Sequence, residues 1–353
     1  MDDTDTAKGA QQGHRGTALV TGGAGFIGSH LCDRLLAEGW RVRVLDDLSI
    51  GRLSNLAHHQ GNPALEFHRV DVADIAAVRP IVQGCQRVFH LAALADIVPS
   101  IESPLAYAHA NVDGTMAVLE AARAAGVERF LYAASSSCYG IPEHYPTPEQ
   151  APCRPQYPYA LTKYLGEQAV MHWGQVYGLP VVALRLFNVY GPRARTSGTY
   201  GAMFGVFLAQ RLAGKPYTVV SDGSQSRDFT YVTDVVDAFV CAAESSICGV
   251  AMNVGTGRPV AVADIVRLLG GPVVHVPKRP GEPDRTHADT GLIERLLGWH
   301  AKVGIEEGVA RLLSHIDDWR DAPVWTPESI AIATDAWFRH LGAAAHGGRN
   351  VSA

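Results

Sequence analysis

A glycine-rich segment near the N-terminus limits the possible folds of this chain more than any other feature. Gly22-Gly-Ala-Gly25-Phe-Ile-Gly28 follows the apolar run Thr17–Thr21, which predicts a buried strand, and opens a helical pattern over Phe26–Glu38. In such a unit the first glycine allows a tight turn, the second lets the backbone approach a pyrophosphate, and the third lets the helix pack closely on the sheet. The helix N-terminus adds unpaired N–H groups. This context predicts a dinucleotide-binding turn rather than an ordinary loop.

An acidic residue at the end of the second predicted strand indicates which dinucleotide binds. Asp46 comes 18 residues after Gly28. Its carboxylate can accept hydrogen bonds from both ribose hydroxyls and would repel a 2′-phosphate, which favours NAD over NADP. Asp47 could share or take this role. Asp71 and Val72 follow the third predicted strand, where the adenine would rest.

Strand and helix patterns alternate along the first half of the chain. The predicted strands are Thr17–Thr21, Arg41–Leu45, Leu65–Val70, Arg87–Leu91, Glu128–Ala134, Val181–Phe187 and Val250–Val254. The predicted helices are Phe26–Glu38, Asp74–Gln83, Pro104–Ala125, Tyr159–Gln175, Thr233–Glu244 and Ile305–Trp319. Several strands are apolar throughout, which is typical of a parallel sheet covered on both faces. We therefore predict an α/β fold: a Rossmann-type doubly wound parallel sheet with a smaller C-terminal α/β substrate lobe.

The alternation changes after Phe187, where Gly, Pro and Arg become frequent. We expect a ligand in the crevice between two lobes. The predicted division is a disordered tail at 1–15, an NAD-binding domain at 16–187 to which 230–257 returns, a substrate lobe at 188–229 and 258–340, and a disordered tail at 341–353.

Composition excludes several classes of protein. With 47% hydrophobic and 18% charged residues, the 353-residue chain is not intrinsically disordered. It lacks the run of about 18 apolar residues that a membrane span needs, and a formal charge of −5 without a basic block argues against nucleic acid as a partner. Six cysteines without a CxxC pair predict reduced thiols and a cytoplasmic location. The fifteen histidines show no metal-ligand spacing, so we predict no metal and a solvated surface pair at His58-His59.

Tyr159 and Lys163 form the first candidate catalytic pair. Their spacing of four places both side chains on one face of a predicted helix. A phenol with a pKa of about 10 is a poor base at neutral pH, and lowering that pKa by about 3 units requires about 4 kcal/mol. A neighbouring ammonium favours the phenolate. The alternative interpretation is two unrelated residues on a helix surface.

These segments together resemble the extended short-chain dehydrogenase/reductase family, in its NAD-dependent nucleotide-sugar epimerase and dehydratase branch, and most of all the UDP-hexose 4-epimerases. The resemblance extends from about Gly16 to about Trp319. The matching segments, in order, are Thr21–Gly28, His90–Ala93, Asn111–Thr115, Ser135–Gly140, Tyr159–Lys163, Arg185–Pro192 and Arg227–Phe229.

The resemblance implies a set of cofactor-binding residues and a third catalytic group. The cofactor set is Gly22, Gly25, Phe26, Ile27, Gly28, Asp46, Asp71, Val72, Leu91, Ala92, Ala93, Asn111, Tyr159 and Lys163, with an indirect role for Asn111. The third catalytic position is Ser135, four residues before the tyrosine of Tyr139-Gly140. Its hydroxyl would pass a proton between the sugar and Tyr159, although it could instead satisfy local backbone groups. Ser136 and Ser137 are neighbouring candidates that also face the substrate.

The type of reaction is inferred from the residues just before Tyr139, where this chain has no acidic side chain. Dehydratases and decarboxylases of the family place a Glu two residues before that tyrosine, preceded in some by Asp; the residues here are Ser137 and Ser136. We therefore predict inversion at C4 of a nucleotide hexose through a 4-ketone, with tightly held NAD. The alternatives are a 4,6-dehydratase, a 4-oxidase, an epimerase for a uronic acid or heptose nucleotide, and a non-catalytic NAD sensor.

The resemblance also implies where the substrate binds. Asn188, Arg227 and Arg279 correspond to residues that contact the sugar-nucleotide diphosphate or nucleoside, and the guanidinium fork suits phosphate. Seven residues after Arg279, the narrower hexose epimerases carry a bulky Tyr where this chain has Thr286, which predicts room for an N-acetyl group. The predicted partners are a nucleotide sugar and a second copy of the chain, paired through the helices Pro104–Ala125 and Tyr159–Gln175.

Overall fold

Seven parallel strands build the main sheet of the protein. The computed structural model describes residues 14–194 and 202–346. Its strands are β1 (Thr17–Thr21), β2 (Arg41–Leu45), β3 (Leu65–His68), β4 (Arg87–His90), β5 (Arg129–Ser135), β6 (Val181–Leu186), β7 (Asn188–Tyr190), β8 (Tyr217–Val220), β9 (Ser226–Arg227), β10 (Phe229–Tyr231), β11 (Val250–Val254), β12 (Val260–Ala261) and β13 (Val273–Val276). The main sheet has the order β11-β6-β5-β4-β1-β2-β3. This doubly wound order, with β1 and β4 adjacent at the switch point, confirms the predicted fold class.

Helices cover both faces of this sheet. They are α1 (Phe26–Ala37), α2 (Ile75–Val82), α3 (Ile97–Glu102), α4 (Pro104–Ala108), α5 (Gly114–Ala125), α6 (Pro158–Tyr177), α7 (Met203–Leu212), α8 (Val232–Glu244), α9 (Val262–Leu269), α10 (Gly291–Leu297), α11 (Ile305–Leu313), α12 (Pro327–Ala333) and α13 (Asp335–His346). On one face, Leu31 of α1 and Phe239 of α8 belong to the same buried cluster as Phe89 of β4. On the other face, Val118 of α5 and Val170 of α6 share a second cluster with the opposite side chains of the sheet.

The second lobe has its own core and three small strand pairs. β7 pairs with β10 and β8 with β13 in parallel, while β9 and β12 are antiparallel. Its core contains Phe207 of α7, Ile265 of α9, Leu312 of α11 and Trp319. One crevice is lined both by residues that follow the carboxyl ends of β1, β2 and β4 and by Phe207 and Val262 from the elements of this second core.

Most predicted ends lie within two residues of the observed ones, and two predicted helices differ by more. The predicted helix Pro104–Ala125 is divided by a π turn at His109–Asp113. The predicted helix Ile305–Trp319 ends at Leu313, and a separate 3-10 turn covers Ile316–Trp319. The helices that were not predicted are α3, α7, α9, α10, α12 and α13.

The predicted C-terminal tail 341–353 begins too early, because α13 continues to His346. Residues 1–13 of the predicted N-terminal tail and residues 347–353 lie outside the described part of the chain. Arg15, the last residue of that N-terminal tail, is described and forms an ion pair with Glu244 at 2.8 Å. No helix within 14–194 or 202–346 is long and apolar enough to cross a membrane.

Candidate active site

The glycine-rich turn between β1 and α1 leaves no space for a side chain at Gly22 or Gly28. A Cβ on Gly28 would lie 2.2 Å from the carbonyl oxygen of Gly22, and a Cβ on Gly22 would lie 2.8 Å from the backbone nitrogen of Ala92. Gly22 also has a φ of +69°, in the region that favours glycine. Backbone therefore forms this wall of the crevice, and the N-terminus of α1 opens onto it. A cradle of this kind fits a pyrophosphate.

Asp46 directly follows β2 and is the more enclosed of the two candidate ribose ligands. Its carboxylate accepts hydrogen bonds from the backbone N–H groups of Ala24 at 3.0 Å and Leu48 at 2.9 Å. Burial raises the pKa of Asp46, while these two hydrogen bonds oppose that shift. Asp47 accepts from the backbone and hydroxyl of Ser49 instead, at 2.9 and 2.7 Å. Asp46 thus links the glycine turn to the loop after β2.

The crevice is a single cavity of about 860 Å³, and all but one of the candidate residues line it. The lining candidates are Gly22, Gly25, Phe26, Ile27, Gly28, Asp46, Asp71, Val72, Leu91, Ala92, Ala93, Ser135, Ser136, Ser137, Tyr159, Lys163, Asn188, Arg227, Arg279 and Thr286. The cavity continues from the glycine turn, past the Tyr159 region, to the arginines of the second lobe. A long ligand of two joined parts fits this shape.

Asn111 lies behind the cavity wall. Its side chain accepts a hydrogen bond from the backbone N–H of Leu94 at 2.8 Å, and donates to the Leu94 carbonyl and the Thr162 hydroxyl, both at 3.0 Å. It therefore joins the loop after β4 to α6, next to Lys163. Asn111 is placed to position the site rather than to touch a ligand.

Three hydroxyl groups meet at the end of β5. The Tyr159 hydroxyl donates to Ser135 Oγ at 3.3 Å, and Ser135 Oγ is 2.8 Å from Ser137 Oγ. Ser135 Oγ also accepts from the backbone N–H of Ser137 at 3.2 Å, so it caps the turn that follows the strand. Both interpretations of Ser135, a local cap and a proton relay, are compatible with this geometry.

Burial dominates the electrostatics of Tyr159 and Lys163. It raises the pKa of the Tyr159 phenol, against the hydrogen bond with Ser135. It lowers the pKa of Lys163 to about 7, against the charge of Glu167. The Lys163 ammonium lies 4.3 Å from the centre of the Tyr132 ring. In the protein alone, the removal of both groups from water therefore opposes formation of the Tyr159 phenolate.

A buried ion pair supports this catalytic corner. Arg185 on β6 binds Glu167 on α6 with distances of 2.8 and 2.6 Å. Arg185 also donates to the Tyr139 hydroxyl at 2.8 Å, and that hydroxyl donates to Asn253 Oδ1 at 2.7 Å. The network joins α6, which carries Tyr159 and Lys163, to the turn after β5 and to β11.

At the substrate end of the cavity, one carboxylate joins two arginines. Glu282 accepts from Arg227 Nη2 and from Arg279 Nε, each at 2.8 Å. Nearby, the Thr286 hydroxyl donates to Asn188 Oδ1 at 2.8 Å. Four of the substrate-binding candidates thus form two pairs: Arg227 with Arg279 through Glu282, and Asn188 with Thr286. The sequence interpretation missed Glu282, although its position three residues after Arg279 was a usable signal.

The histidine pair is not simply solvated. His58 Nε2 and His59 Nε2 both lie 2.7 Å from Asp33 Oδ1, and Arg193 Nη1 lies 2.8 Å from Asp33 Oδ2. The predicted surface pair is therefore held by a carboxylate on α1. These groups lie outside the cavity lining.

Comparison with known proteins identifies the family. The family model described as the NAD dependent epimerase/dehydratase family matches residues 18–255. The chain belongs to this family. UDP-glucose 4-epimerase of Mycolicibacterium smegmatis is 39% identical over 307 residues, which cover 83% of this chain and 96% of that protein. UDP-glucuronic acid decarboxylase 1 of Arabidopsis thaliana is 33% identical over 306 residues, covering 84% of this chain and 68% of that protein.

Solved structures of other family members superpose over most of the chain. UDP-N-acetylglucosamine 4-epimerase of Methanobrevibacter ruminantium, in complex with UDP-N-acetylmuramic acid, has a TM-score of 0.82 and 30% identity, covering 86% of this chain and 99% of that one. UDP-glucuronic acid 4-epimerase of Bacillus cereus, with UDP-glucuronic acid and NAD, has a TM-score of 0.80 and 30% identity, covering 85% and 99%. The predicted family, the NAD cofactor and an enzyme of the epimerase type are confirmed.

Proposed function

We propose that this enzyme inverts C4 of a UDP-hexose through a transient 4-ketone. The observation that carries the proposal is the hydroxyl chain Tyr159–Ser135–Ser137, in a cavity that leads from the glycine turn to Arg227 and Arg279. Epimerases for UDP-sugars among the relatives and solved structures support the same reaction.

The protein supplies the proton chemistry and the positioning. Tyr159 takes the proton of the C4 hydroxyl, and Ser135 and Ser137 relay protons between the sugar oxygen and the phenol. NAD held by the glycine turn and Asp46 would supply the hydride chemistry at C4, with no net oxidation of the sugar. The 4-ketose turns over within the cavity before it is reduced on the opposite face.

The buried phenol needs positive charge before it can act as a base. Burial raises its pKa, and Asp96 adds to that effect. A protonated Lys163 one helical turn away and the positive nicotinamide ring both favour the phenolate. The residues that would hold NAD would therefore also hold the positive charge of its nicotinamide near Tyr159.

Two measurements test this reaction. A panel of UDP-, dTDP-, GDP-, ADP- and CDP-sugars should show inversion at C4 by NMR with unchanged product mass, fastest with UDP-sugars. Tyr159→Phe should lower kcat by about 100- to 10,000-fold, the range for loss of a general base, while the NAD content stays at the wild-type level. A product lighter by the mass of water would indicate a 4,6-dehydratase, and one lighter by two hydrogens a 4-oxidase; either would replace the proposal.

We further propose that the substrate pocket accepts N-acetylhexosamines as well as UDP-glucose and UDP-galactose. Thr286 is small and its hydroxyl is engaged by Asn188, so both side chains are drawn to the cavity wall. The panel should therefore include UDP-GalNAc and UDP-GlcNAc. UDP-glucuronic acid and a heptose nucleotide belong in the same panel, and preferred turnover of either would replace the hexose assignment.

We also propose a cytoplasmic homodimer. All six cysteines are free thiols, in keeping with a reducing compartment. Leu105 of α4, Met116 of α5, and Leu161 and Leu165 of α6 are exposed apolar side chains on the helices predicted to pair. Sedimentation should show a dimer that Leu165→Lys dissociates, whereas Ile332→Lys, at an exposed site on α12, should leave it intact. A monomeric wild type would contradict the proposal.

A further inference from the structure

The last helix of the described chain connects the two sides of the cavity. α13 packs against α3, which follows the loop after β4 on the cofactor side. α13 also packs against the segment 279–282 on the substrate side, where Leu341 approaches Gly281 and Gly342 approaches Pro280. The helix therefore closes one edge of the crevice. The family model's match ends at residue 255, before this helix begins.

Trp337 is the residue through which α13 reaches the cavity. It is only 3% exposed, and it lies among the lining residues. Its Nε1 donates to the carbonyl of Pro280 at 2.6 Å, and the Arg279 guanidinium carbon lies 5.2 Å from the centre of its ring. A cation at this distance from an indole face is attracted to it. One side chain thus holds both the guanidinium of Arg279 and the backbone directly after it.

The same ring continues a row of aromatic side chains towards the catalytic corner. The ring centres of Trp337 and Tyr157 are 6.2 Å apart, and those of Tyr157 and Tyr159 are 6.3 Å apart with planes 10° from parallel. Arg279 is therefore fixed on a wall that leads directly to the proposed base. The packed rings of Trp337 and Tyr157 thus set the distance between Arg279 and Tyr159.

The charges around Arg279 explain why such a support matters. Glu282 binds both Arg227 and Arg279, and these three side chains together carry one net positive charge. An arriving diphosphate must engage the guanidinium groups without being displaced by that carboxylate. The contact with the Trp337 ring restricts the guanidinium of Arg279 in addition to its bond with Glu282, so that less conformational freedom is lost when the anion binds.

We propose that Trp337 is a positioning residue for substrate binding: it holds Arg279 at the cavity wall for the diphosphate of the nucleotide sugar. This inference rests on the proposed function. Because Trp337 acts on Arg279 and not on the hydroxyl chain, its loss weakens substrate binding and leaves the chemical step nearly unchanged.

Steady-state kinetics on the NAD-loaded enzyme, with calorimetry of UDP binding, test the role. Trp337→Ala should raise KM and the UDP dissociation constant about tenfold, the size expected for a desolvated cation–π contact and its ordering effect, with kcat within about twofold. Trp337→Phe should restore most of the affinity because it keeps an aromatic face. Phe338→Ala, at a 37% exposed neighbour on the same helix, should behave as wild type.

A double-mutant cycle separates positioning from a structural role. Arg279→Ala combined with Trp337→Ala should bind UDP no more weakly than Arg279→Ala alone, since Trp337 acts through Arg279. Additive losses, or a wild-type KM in Trp337→Ala, would overturn the inference. If Trp337→Ala is insoluble, Trp337→Leu carries the same expectation. A wild-type enzyme that neither binds UDP nor converts UDP-sugars would overturn the proposed function along with it, whereas a wild-type enzyme that does both while the variants are unchanged removes only the positioning role.

Discussion

The two ends of the cavity are built in different ways. At the cofactor end, the cradle for the pyrophosphate is formed by the contiguous backbone of Gly22–Gly28, and the carboxylate of Asp46 is bonded to it. The substrate end is formed by side chains from separate segments: Asn188, Arg227, Arg279–Thr286 and Trp337. A site made of backbone is fixed once the local fold forms, and its tolerance for substitution is low. A site made of side chains from distant segments can change its ligand by single substitutions, which agrees with the different sugars named for the relatives.

The strongest test of this contrast is at Gly28. Gly28→Ala places a Cβ against the Gly22 carbonyl, so backbone must move against backbone. We expect NAD affinity to fall at least about 100-fold, or about 2.7 kcal/mol, measured by calorimetry. Gly304→Ala is the matched control, because its Cβ would meet only the end of the Glu306 side chain, at 3.8 Å. A wild-type affinity for NAD in Gly28→Ala would contradict the low tolerance for substitution that we expect of a site made of backbone.

The next effect concerns the buried ion pair that supports the catalytic corner, between the two ends of the cavity. Glu167→Gln leaves the guanidinium of Arg185 buried without its carboxylate. We expect the free energy of unfolding to fall by about 3–5 kcal/mol, measured by urea denaturation. Glu307→Gln breaks the exposed pair with Arg311 and should cost less than about 1 kcal/mol. Equal losses in the two variants would contradict a special role for the buried pair.

A pH-dependent effect should mark the buried histidine next to the cofactor end. Burial lowers the pKa of His90 to about 3, and its ring lies 2.7 Å from Thr21 Oγ1 and 3.0 Å from Thr115 Oγ1. Below pH 6.5, His90 binds a proton in the unfolded state but not in the folded state. The free energy of unfolding therefore falls as the pH decreases towards 3. Between pH 7 and pH 5 this amounts to about 2 kcal/mol.

His90→Asn should remove that part of the pH dependence. Unfolding free energies at pH 7 and pH 5 give the comparison, with the exposed His300→Asn as the control that keeps the wild-type slope. The interpretation fails if His90→Asn and wild type lose the same stability on acidification.

The smallest predicted effect tests how easily the substrate end changes its ligand. Thr286→Tyr fills the space beside Asn188 and should lower kcat/KM for UDP-GalNAc about tenfold relative to UDP-Gal, the discrimination that pocket size can supply. Thr286→Ser keeps the small hydroxyl group and should retain the wild-type ratio. An unchanged ratio in Thr286→Tyr would place the acetyl group elsewhere.

Local patterns were sufficient for much of the fold. The strands β1, β2 and β11 begin and end at the predicted residues, because apolar runs between glycines and charged residues mark buried parallel strands. The glycine turn and the Tyr159–Lys163 pair were likewise visible, since each depends on residues close together in the chain. The π turn at His109–Asp113 was not visible, because the residues form a helical pattern whether or not one turn is widened.

The sequence by itself determined the class of fold and the residue types available for chemistry, because these depend on periodicity and short-range spacing. Only the tertiary structure decided which groups surround each charge. Glu282 binds both Arg227 and Arg279, the Trp337 ring contacts the guanidinium of Arg279, and burial opposes the phenolate of Tyr159. Those relations join segments far apart in the chain, and the energy of a charge depends on how much water its neighbours exclude.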